Sequence, residues 1–467
     1  MRLVARFAKD LIDSFEVIDI YDNDIKRYTL SKDNPTLETL TIKYPAALWM
    51  EKKINDEFGI IFKNSFDTRN TIKHEYFPKN IYPMRKSFSK KEIEFCDFKE
   101  YKYEEIEGDS LFVVPVGPIH AGIIEPGHFQ FSQAGEEILH LEVRHFYKYR
   151  AIEKMCEGKK PLDILQIISR VSGNESIAYQ VAYRDILAQS SGIEIPKSLK
   201  QKYAILLELE RIIHHLTDLG FIPNDAGFGS ALAFMSAASE EARRAMKKLT
   251  NHRFGFDTIK SELDLDYNIL NEYLKKLKDD LIFFRDWIED IPSVWDRFDT
   301  TGVLSKKNAI KYGAVGLVAR ASGVKIDCRD NDFYKSFGYE MQVGKKGDVG
   351  ERFTLRIKEI FNSIEMIERM QTDSSESIEL KDFKDGEYHS FIESSIGELF
   401  IYLSIKNGVV DRLYIRDPSH INWQLFHTTI YKDIIADFPL INKSFDLSYA
   451  GNDLWLDIGK KDLKVVF

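Results

Sequence analysis

Pro45-Ala46-Ala47-Leu48-Trp49-Met50-Glu51-Lys52-Lys53-Ile54-Asn55-Asp56-Glu57-Phe58-Gly59-Ile60 is the stretch on which the reading of this chain turns. It predicts a helix from Ala46 to Phe58, opened after Pro45 and stopped by Gly59, a residue that tolerates the left-handed backbone of a helix end. Upstream, Leu40-Thr41-Ile42-Lys43-Tyr44 reads as an extended segment. Downstream an apolar run, Ile60, Ile61 and Phe62, follows. Residues 1 to about 85 are therefore expected to mix helix and strand.

Beyond this unit, Lys86 to Asp109 (KSFSKKEIEFCDFKEYKYEEIEGD) is strongly charged and has little periodicity. It reads as a tether or surface arm and marks the boundary, giving a first domain at 1–88, a charged linker at 89–109 and a second domain at 110–467. The second domain opens with a short apolar strand, Leu111 to Val116. Phe129 to Phe131 and Ile138 to Val143, with a turn at Gly135, add a small antiparallel sheet. Helical periods then follow. One runs from Pro196 to Leu219, with Gly220 as its stop signal. Others span Ser230 to Leu249, Tyr267 to Ile288 and Leu355 to Met370. Alternation returns at Glu398 to Ile405 and Gly408 to Ile415, a hairpin through Lys406-Asn407-Gly408.

The 467 residues exceed one hydrophobic core, and 44% hydrophobic with 30% charged residues describes a folded chain. A net charge of -9 argues against nucleic-acid binding, which needs a basic surface. The three cysteines, Cys96, Cys156 and Cys328, lie far apart. They exclude a disulfide framework and a self-contained zinc or iron–sulfur site on this chain, and fit a reducing, cytoplasmic location. Acidic residues come too early in MRLVARFAKDLIDSFEV for a secretory leader. No run approaches the roughly 18 apolar residues of a membrane span, so membrane association is expected through partners.

The helix at 45–60, with His74-Glu75-Tyr76-Phe77-Pro78 and Tyr82-Pro83-Met84-Arg85-Lys86, resembles the 30-kDa subunit of complex I and the matching domain of formate hydrogenlyase large subunits. Gly117-Pro118-Ile119-His120 and Glu125-Pro126-Gly127-His128-Phe129 resemble the start of the large subunit of group 4 membrane-bound NiFe hydrogenases, homologous to the 49-kDa subunit of complex I. Leu207-Glu208-Leu209-Glu210-Arg211, Arg320-Ala321-Ser322-Gly323 and Arg416-Asp417-Pro418-Ser419 follow in that family's order. The resemblance runs from about Leu40 to Asp453.

The resemblance implies a metal held by two CxxC pairs, because soft thiolates bind nickel and bridge it to iron. Here Ser172 and Glu175 match the early pair, and Ser448 and Gly451 the late one. All four ligand cysteines are missing, so no NiFe centre and no metal are expected. Tyr179 stands where a histidine follows the first pair. In complex I relatives the same region forms a quinone site from a loop histidine and a tyrosine. His120 or His128 matches the first and Gly173 falls on the second, leaving Tyr179 as a nearby phenol. Glu153 matches a proton-transferring glutamate, whose pKa a dry cavity would raise. The competing reading is an ion pair, with Arg170 or the neighbours of Lys154. Arg320 matches an arginine over the metal site and is expected to balance Glu175. His214 and His215, adjacent on a helix, point in different directions and read as core or interface residues rather than a ligand pair.

The expected fold is α+β: an N-terminal complex I 30-kDa-like α+β domain, then a mainly α-helical hydrogenase-large-subunit-like domain with a small antiparallel sheet. The resemblance implies the large subunit of a membrane-bound, hydrogenase-4-like or complex I-like oxidoreductase, on the cytoplasmic face of the plasma membrane. It would take part in electron transfer, with quinone as a candidate acceptor, coupled to ion translocation. Its partners would be an iron–sulfur small subunit bearing a 4Fe–4S cluster and membrane-embedded ion-translocating subunits. The alternative is a cofactor-free scaffold or coupling subunit with no redox chemistry of its own.

Overall fold

In this computed structural model the chain is described at residues 1–88, 96–104, 106–108, 110–120, 125–431 and 433–454. The expected linker therefore falls partly outside the described residues, at 89–95, 105 and 109. Three antiparallel strands open the chain: β1 (Leu3–Asp10), β2 (Ser14–Tyr21) and β3 (Asp24–Ser31), in the order β1-β2-β3 with Phe7 opposite Ile18. A short strand β4 (Thr36–Glu38) pairs in parallel with β5 (Ile61–Lys63) across the helix α1 (Ala47–Phe58). Gly59 ends α1 at φ 78°, its N–H bonded to the Asn55 carbonyl, as its sequence position predicts. The expected extended segment at Leu40–Tyr44 is instead a turn. The Leu40 carbonyl accepts from the N–H groups of Lys43 (3.0 Å) and Tyr44 (2.8 Å), which reverses the chain into α1.

β1 is buried along its whole length, because side chains alternate between its two faces and both faces are covered. Ala8 lies with Phe15, Ile54 and Phe58 beneath α1. Val4, Ala5 and Phe7 lie with Phe400, Tyr402 and Tyr414 of the far end of the chain, and the Phe7 ring stacks on Tyr414 at 4.4 Å.

The second sheet is β6 (Leu111–Val116), β7 (His128–Ala134) and β8 (Glu137–Arg144), antiparallel in that order. Helices follow: α2 (Ile152–Cys156), α3 (Leu165–Ile168), α4 (Ser176–Ser191), α5 (Lys197–Asp225), α6 (Gly229–Thr250) and α7 (Tyr267–Glu289). After them come α8 (Pro292–Phe298), α9 (Lys306–Tyr312), α10 (Gly316–Ala321), α11 (Asp332–Lys335) and α12 (Val349–Met370). The third sheet is β9 (Gly386–Glu393), β10 (Glu398–Lys406) and β11 (Val409–Arg416), with β10 central. Asn407 (φ 55°) and Gly408 (φ 73°) make its tight turn, both in the left-handed region that such a hairpin requires. The chain closes with α13 (Pro418–Phe426), α14 (Phe438–Phe445) and α15 (Tyr449–Asp453).

Two helix boundaries differ from the sequence reading. α5 does not stop at Gly220 but continues through Pro223 to Asp225. A Cβ at Gly220 would meet Met235 Cβ at 3.1 Å and the Leu232 Cα at 3.3 Å, so this glycine lets α5 and α6 approach closely. α12 begins at Val349, where Asp348 caps it by accepting from the Glu351 N–H at 2.8 Å. Among the described residues no helix is long and apolar enough to cross a membrane.

Candidate functional site

Two chain segments 276 residues apart meet at the centre of the second domain. The loop before α4 delivers Ser172 and ends at Glu175, which takes the N-cap position of α4. The loop after α14 delivers Ser448, the N-cap of α15, whose Oγ accepts from the Gly451 N–H at 2.8 Å. Ser172 Oγ and Ser448 Oγ lie 3.3 Å apart. The four positions Ser172, Glu175, Ser448 and Gly451 are thus brought together, all of them buried.

What joins them is a hydrogen-bond network centred on two carboxyls. Glu175 accepts from Ser394 Oγ at 2.5 Å and from Ser172 Oγ at 3.3 Å. Asp417 accepts from the Tyr179 hydroxyl at 2.7 Å and from the Ser419 N–H at 2.8 Å. A Cβ on Gly451 would come within 2.1 Å of Asp417 Oδ2, so the Asp417 carboxyl fills the space a side chain at 451 would need. Burial, and then the charge of Asp417, push the Glu175 carboxyl well above the usual range. Burial also raises Asp417. Two carboxyls in one dry pocket disfavour each other's charge, so ionising one makes the other easier to keep protonated.

Beside them Glu210 of α5 accepts from the Ile177 N–H (2.7 Å) and the Ala178 N–H (3.1 Å), closing off the first turn of α4. Burial pushes its carboxyl up to about 8, against the pull of those N–H groups. Asp417 and Glu210 are the residues a sequence reading passes over. Both stand inside quoted motifs, Arg416-Asp417-Pro418-Ser419 and Leu207-Glu208-Leu209-Glu210-Arg211, but nothing in spacing alone tells which carboxylate turns inward.

Arg320 does not balance Glu175. Its guanidinium pairs with Asp327 (2.9 Å), Glu359 (2.6 Å) and Glu393 (2.8 Å), in a buried network that also holds Arg329 and Glu208. With three carboxylates of its own, it has no electrostatic reason to turn toward Glu175.

Glu153 is not a carboxyl of raised pKa. Lys53 of α1 (3.0 Å) and Arg412 of β11 (2.8 Å) pair with it, and the Ile415 N–H donates to it at 3.1 Å. Burial opposes its charge, but the two cations outweigh burial and hold Glu153 below the ordinary range. Its ion-pair partners are neither Arg170, which pairs with Asp257 at 2.6 Å, nor neighbours of Lys154. The protonatable carboxyl there is Glu57. It accepts from the Tyr149 hydroxyl at 2.6 Å, and burial pushes it up to about 7.

The two histidines fall elsewhere. His120 Nε2 bonds to the Gly127 carbonyl at 2.7 Å. His128 bonds to the Gly117 carbonyl and Gln130 (both 3.1 Å), and its ring lies 5.0 Å from that of Tyr103. Tyr179 instead faces Asp417, so among the described residues no hydrogen bond or ring contact joins either histidine to it. The two histidines instead bond to backbone carbonyls at the start of the second sheet, His120 to Gly127 and His128 to Gly117.

The fused mixed domain and helical bundle have counterparts among known proteins. Residues 11–94 match the family of the respiratory-chain NADH dehydrogenase 30-kDa subunit, and residues 225–384 match the 49-kDa subunit. This chain belongs to the 49-kDa subunit family, with the 30-kDa-type domain fused at its N-terminus. It is 30% identical over 356 residues to an NADH-quinone oxidoreductase subunit of Dehalococcoides mccartyi, covering 72% of this chain and 96% of that protein. It is 27% identical over 461 residues to formate hydrogenlyase subunit 5 of Escherichia coli, covering 94% of this chain and 81% of that one. Among solved structures, a chain of the membrane-bound sulfane sulfur reductase, an archaeal respiratory membrane complex, superposes with a TM-score of 0.67 at 22% identity. That likeness covers 74% of this chain and 98% of the other.

Proposed function

We propose that this chain is the large subunit of a membrane-bound, hydrogenase-4-like or complex I-like oxidoreductase that works without a nickel–iron centre. The observation that carries this is Asp417. Its carboxyl occupies the space a side chain at Gly451 would fill, and with burial it pushes the Glu175 carboxyl beside it above the usual range. Two hydroxyls, one carboxyl and one glycine do not make a soft-metal donor set, since serine stays protonated and glycine has no side chain. The residues present do not fit a NiFe group, and no step is derived through one.

The same arrangement supports a role in coupling. A buried carboxyl pair can take up or release a proton when a neighbouring charge changes. That neighbouring charge would be the 4Fe–4S cluster of an iron–sulfur small subunit seated over Ser172 and Ser448. Membrane-embedded subunits would carry the translocated ion, with this chain peripheral on the cytoplasmic face. A quinone acceptor fits less well. The Tyr179 hydroxyl donates to Asp417 and His120 Nε2 bonds to the Gly127 carbonyl, so neither is a free partner for a headgroup. The second reading, a scaffold with no proton or electron role, leaves the carboxyl pair without a purpose.

Purification of the assembled complex through this chain tests the proposal. Iron–sulfur and membrane subunits should co-purify, with no nickel. Glu175→Gln should lower ion-coupled turnover by about 100-fold or more, the usual scale for loss of a proton-transferring group, with the complex intact. Nickel stoichiometric with the chain would refute the absence of the centre. Undiminished coupling in Glu175→Gln would leave the scaffold reading.

A further inference from the structure

α5 carries a second cluster, about one helical turn beyond Glu210. His214, His215 and Asp218 are spaced so that Asp218 lies four residues from the first histidine and three from the second, on the helix face they share. Their rings do diverge on one side, as the sequence suggests. His215 Nε2 bonds to Glu359 Oε2 at 3.0 Å, and His214 Nε2 lies 2.8 Å from Asp446 Oδ2. Asp218 Oδ2 accepts from Arg356 Nε at 2.8 Å. Nδ1 of both histidines has no hydrogen-bond partner, His214 Nε2 meets Asp446 only as a close ion-pair contact, and Asp218 Oδ1 has the Lys443 ammonium at 3.4 Å. These side chains are 7%, 1% and 0% exposed, and one ligand atom from each lies within 4.8 Å of the others.

We propose that His214, His215 and Asp218 form a binding site for a divalent transition ion of the zinc class. Buried polar atoms are almost always hydrogen-bonded, so two unbonded imidazole nitrogens beside a carboxylate oxygen held only by Lys443 at 3.4 Å call for a shared partner. Two imidazoles and one carboxylate are the donor set of zinc and cobalt(II) rather than of calcium or magnesium, which take oxygen alone. The outer contacts match what a ligating histidine needs. In each ring the nitrogen away from the site faces a carboxylate, which fixes the tautomer and the ring orientation. Of the three, His214 lines a small cavity of about 70 Å³ whose walls also include Asp446, Lys443, Arg243 and Arg253. The cation at the free side of Asp218 is Lys443, while Arg356 holds its other oxygen. The Lys443 ammonium lies 3.4 Å from Asp218 Oδ1 and pairs with Asp446, and its side chain is 26% exposed, so it can swing out as the ion enters. The cavity also borders Gly173, Asn174 and Glu210 beside the Ser172–Ser448 centre, but the three ligands are not residues of that centre and the proposal does not depend on the function proposed for it.

Titration of the full chain with cobalt(II), followed by visible absorption and elemental analysis, tests the proposal. One cobalt per chain with the absorption of a low-coordinate nitrogen–oxygen site is expected, and zinc should displace it. His214→Ala should weaken binding at least about 100-fold, and Lys443→Met should tighten it about tenfold by removing the competing charge. Glu175→Gln should leave the affinity unchanged. Failure of both the wild-type chain and Lys443→Met to take up saturable cobalt overturns the site. So does binding that His214→Ala leaves intact, or that Glu175→Gln abolishes.

Discussion

Among single residues the chemistry lies in carboxyls kept from ionising. Glu175 is surrounded by hydroxyls and another carboxyl, with no cation among its hydrogen-bond partners in the described residues. Glu153 is no less buried, yet two cations keep it charged. The difference is the neighbour, not the depth. Glu210 offers the sharpest consequence. Its folded pKa of about 8 lies above its ordinary value of 4.5, so the folded state holds a proton that the unfolded state gives up. Its contribution to stability is therefore complete below about pH 4.5 and is lost as pH rises toward about 8. Glu210→Gln should flatten the fall in melting temperature between about pH 5 and 8, as followed by scanning fluorimetry across that range. A variant whose melting temperature falls as steeply as the wild type's would place the proton elsewhere.

Among the elements, the long helix α5 organises the bundle. It faces α6 along much of its length, and α12 and α14 also pack against it. Glu208, Glu210, Arg211, His214, His215 and Asp218 of α5 are all buried, so this helix carries polar side chains where an ordinary core helix carries leucine. Gly220 permits the α6 contact. Gly220→Val should cost about 2 kcal/mol or more by overpacking, although valine forms helix better than glycine. Urea denaturation measures this, and an unchanged midpoint would mean that α6 yields. Gly220 also shows where a local rule fails. A glycine after an apolar period reads as a stop, but the same residue serves close helix contact, and only the neighbouring helix distinguishes the two.

Across the molecule as a whole, the N-terminal domain is not a loose appendage. β1 contributes to one core with α1 and to another with β10 and β11. Lys53 of α1 reaches Glu153, Arg412 Nε donates to the Ala8 carbonyl at 3.0 Å, and Lys9 pairs with Glu387 at 2.7 Å. Removing one partner of a buried pair leaves an uncompensated charge, so Lys53→Met should cost about 3–5 kcal/mol. Both domains should then unfold in a single transition, seen alike by circular dichroism and by tryptophan fluorescence. Two separated transitions would mean that the seam between the domains carries little of the stability. A buried ionic seam of this kind fixes how the 30-kDa-type domain sits on the bundle.

The family, the two-part order of the chain, helix α1 with its Gly59 end, the long helices and the hairpin at Asn407-Gly408 were all legible in the amino acids alone. They follow from periodicity, from backbone freedom at glycine and from motifs in order, and each of these signals is local. The resemblance also marked Ser172, Glu175, Ser448 and Gly451 as one group. Which charges meet was settled by the folded chain. It paired Arg320 with Glu359 and its neighbours, paired Glu153 with Lys53 and Arg412, set Asp417 against Gly451, and set His214 against Asp446 and His215 against Glu359. Pairings across hundreds of residues depend on which side chains share a dry space, and on what charge already stands there. No local pattern encodes that choice.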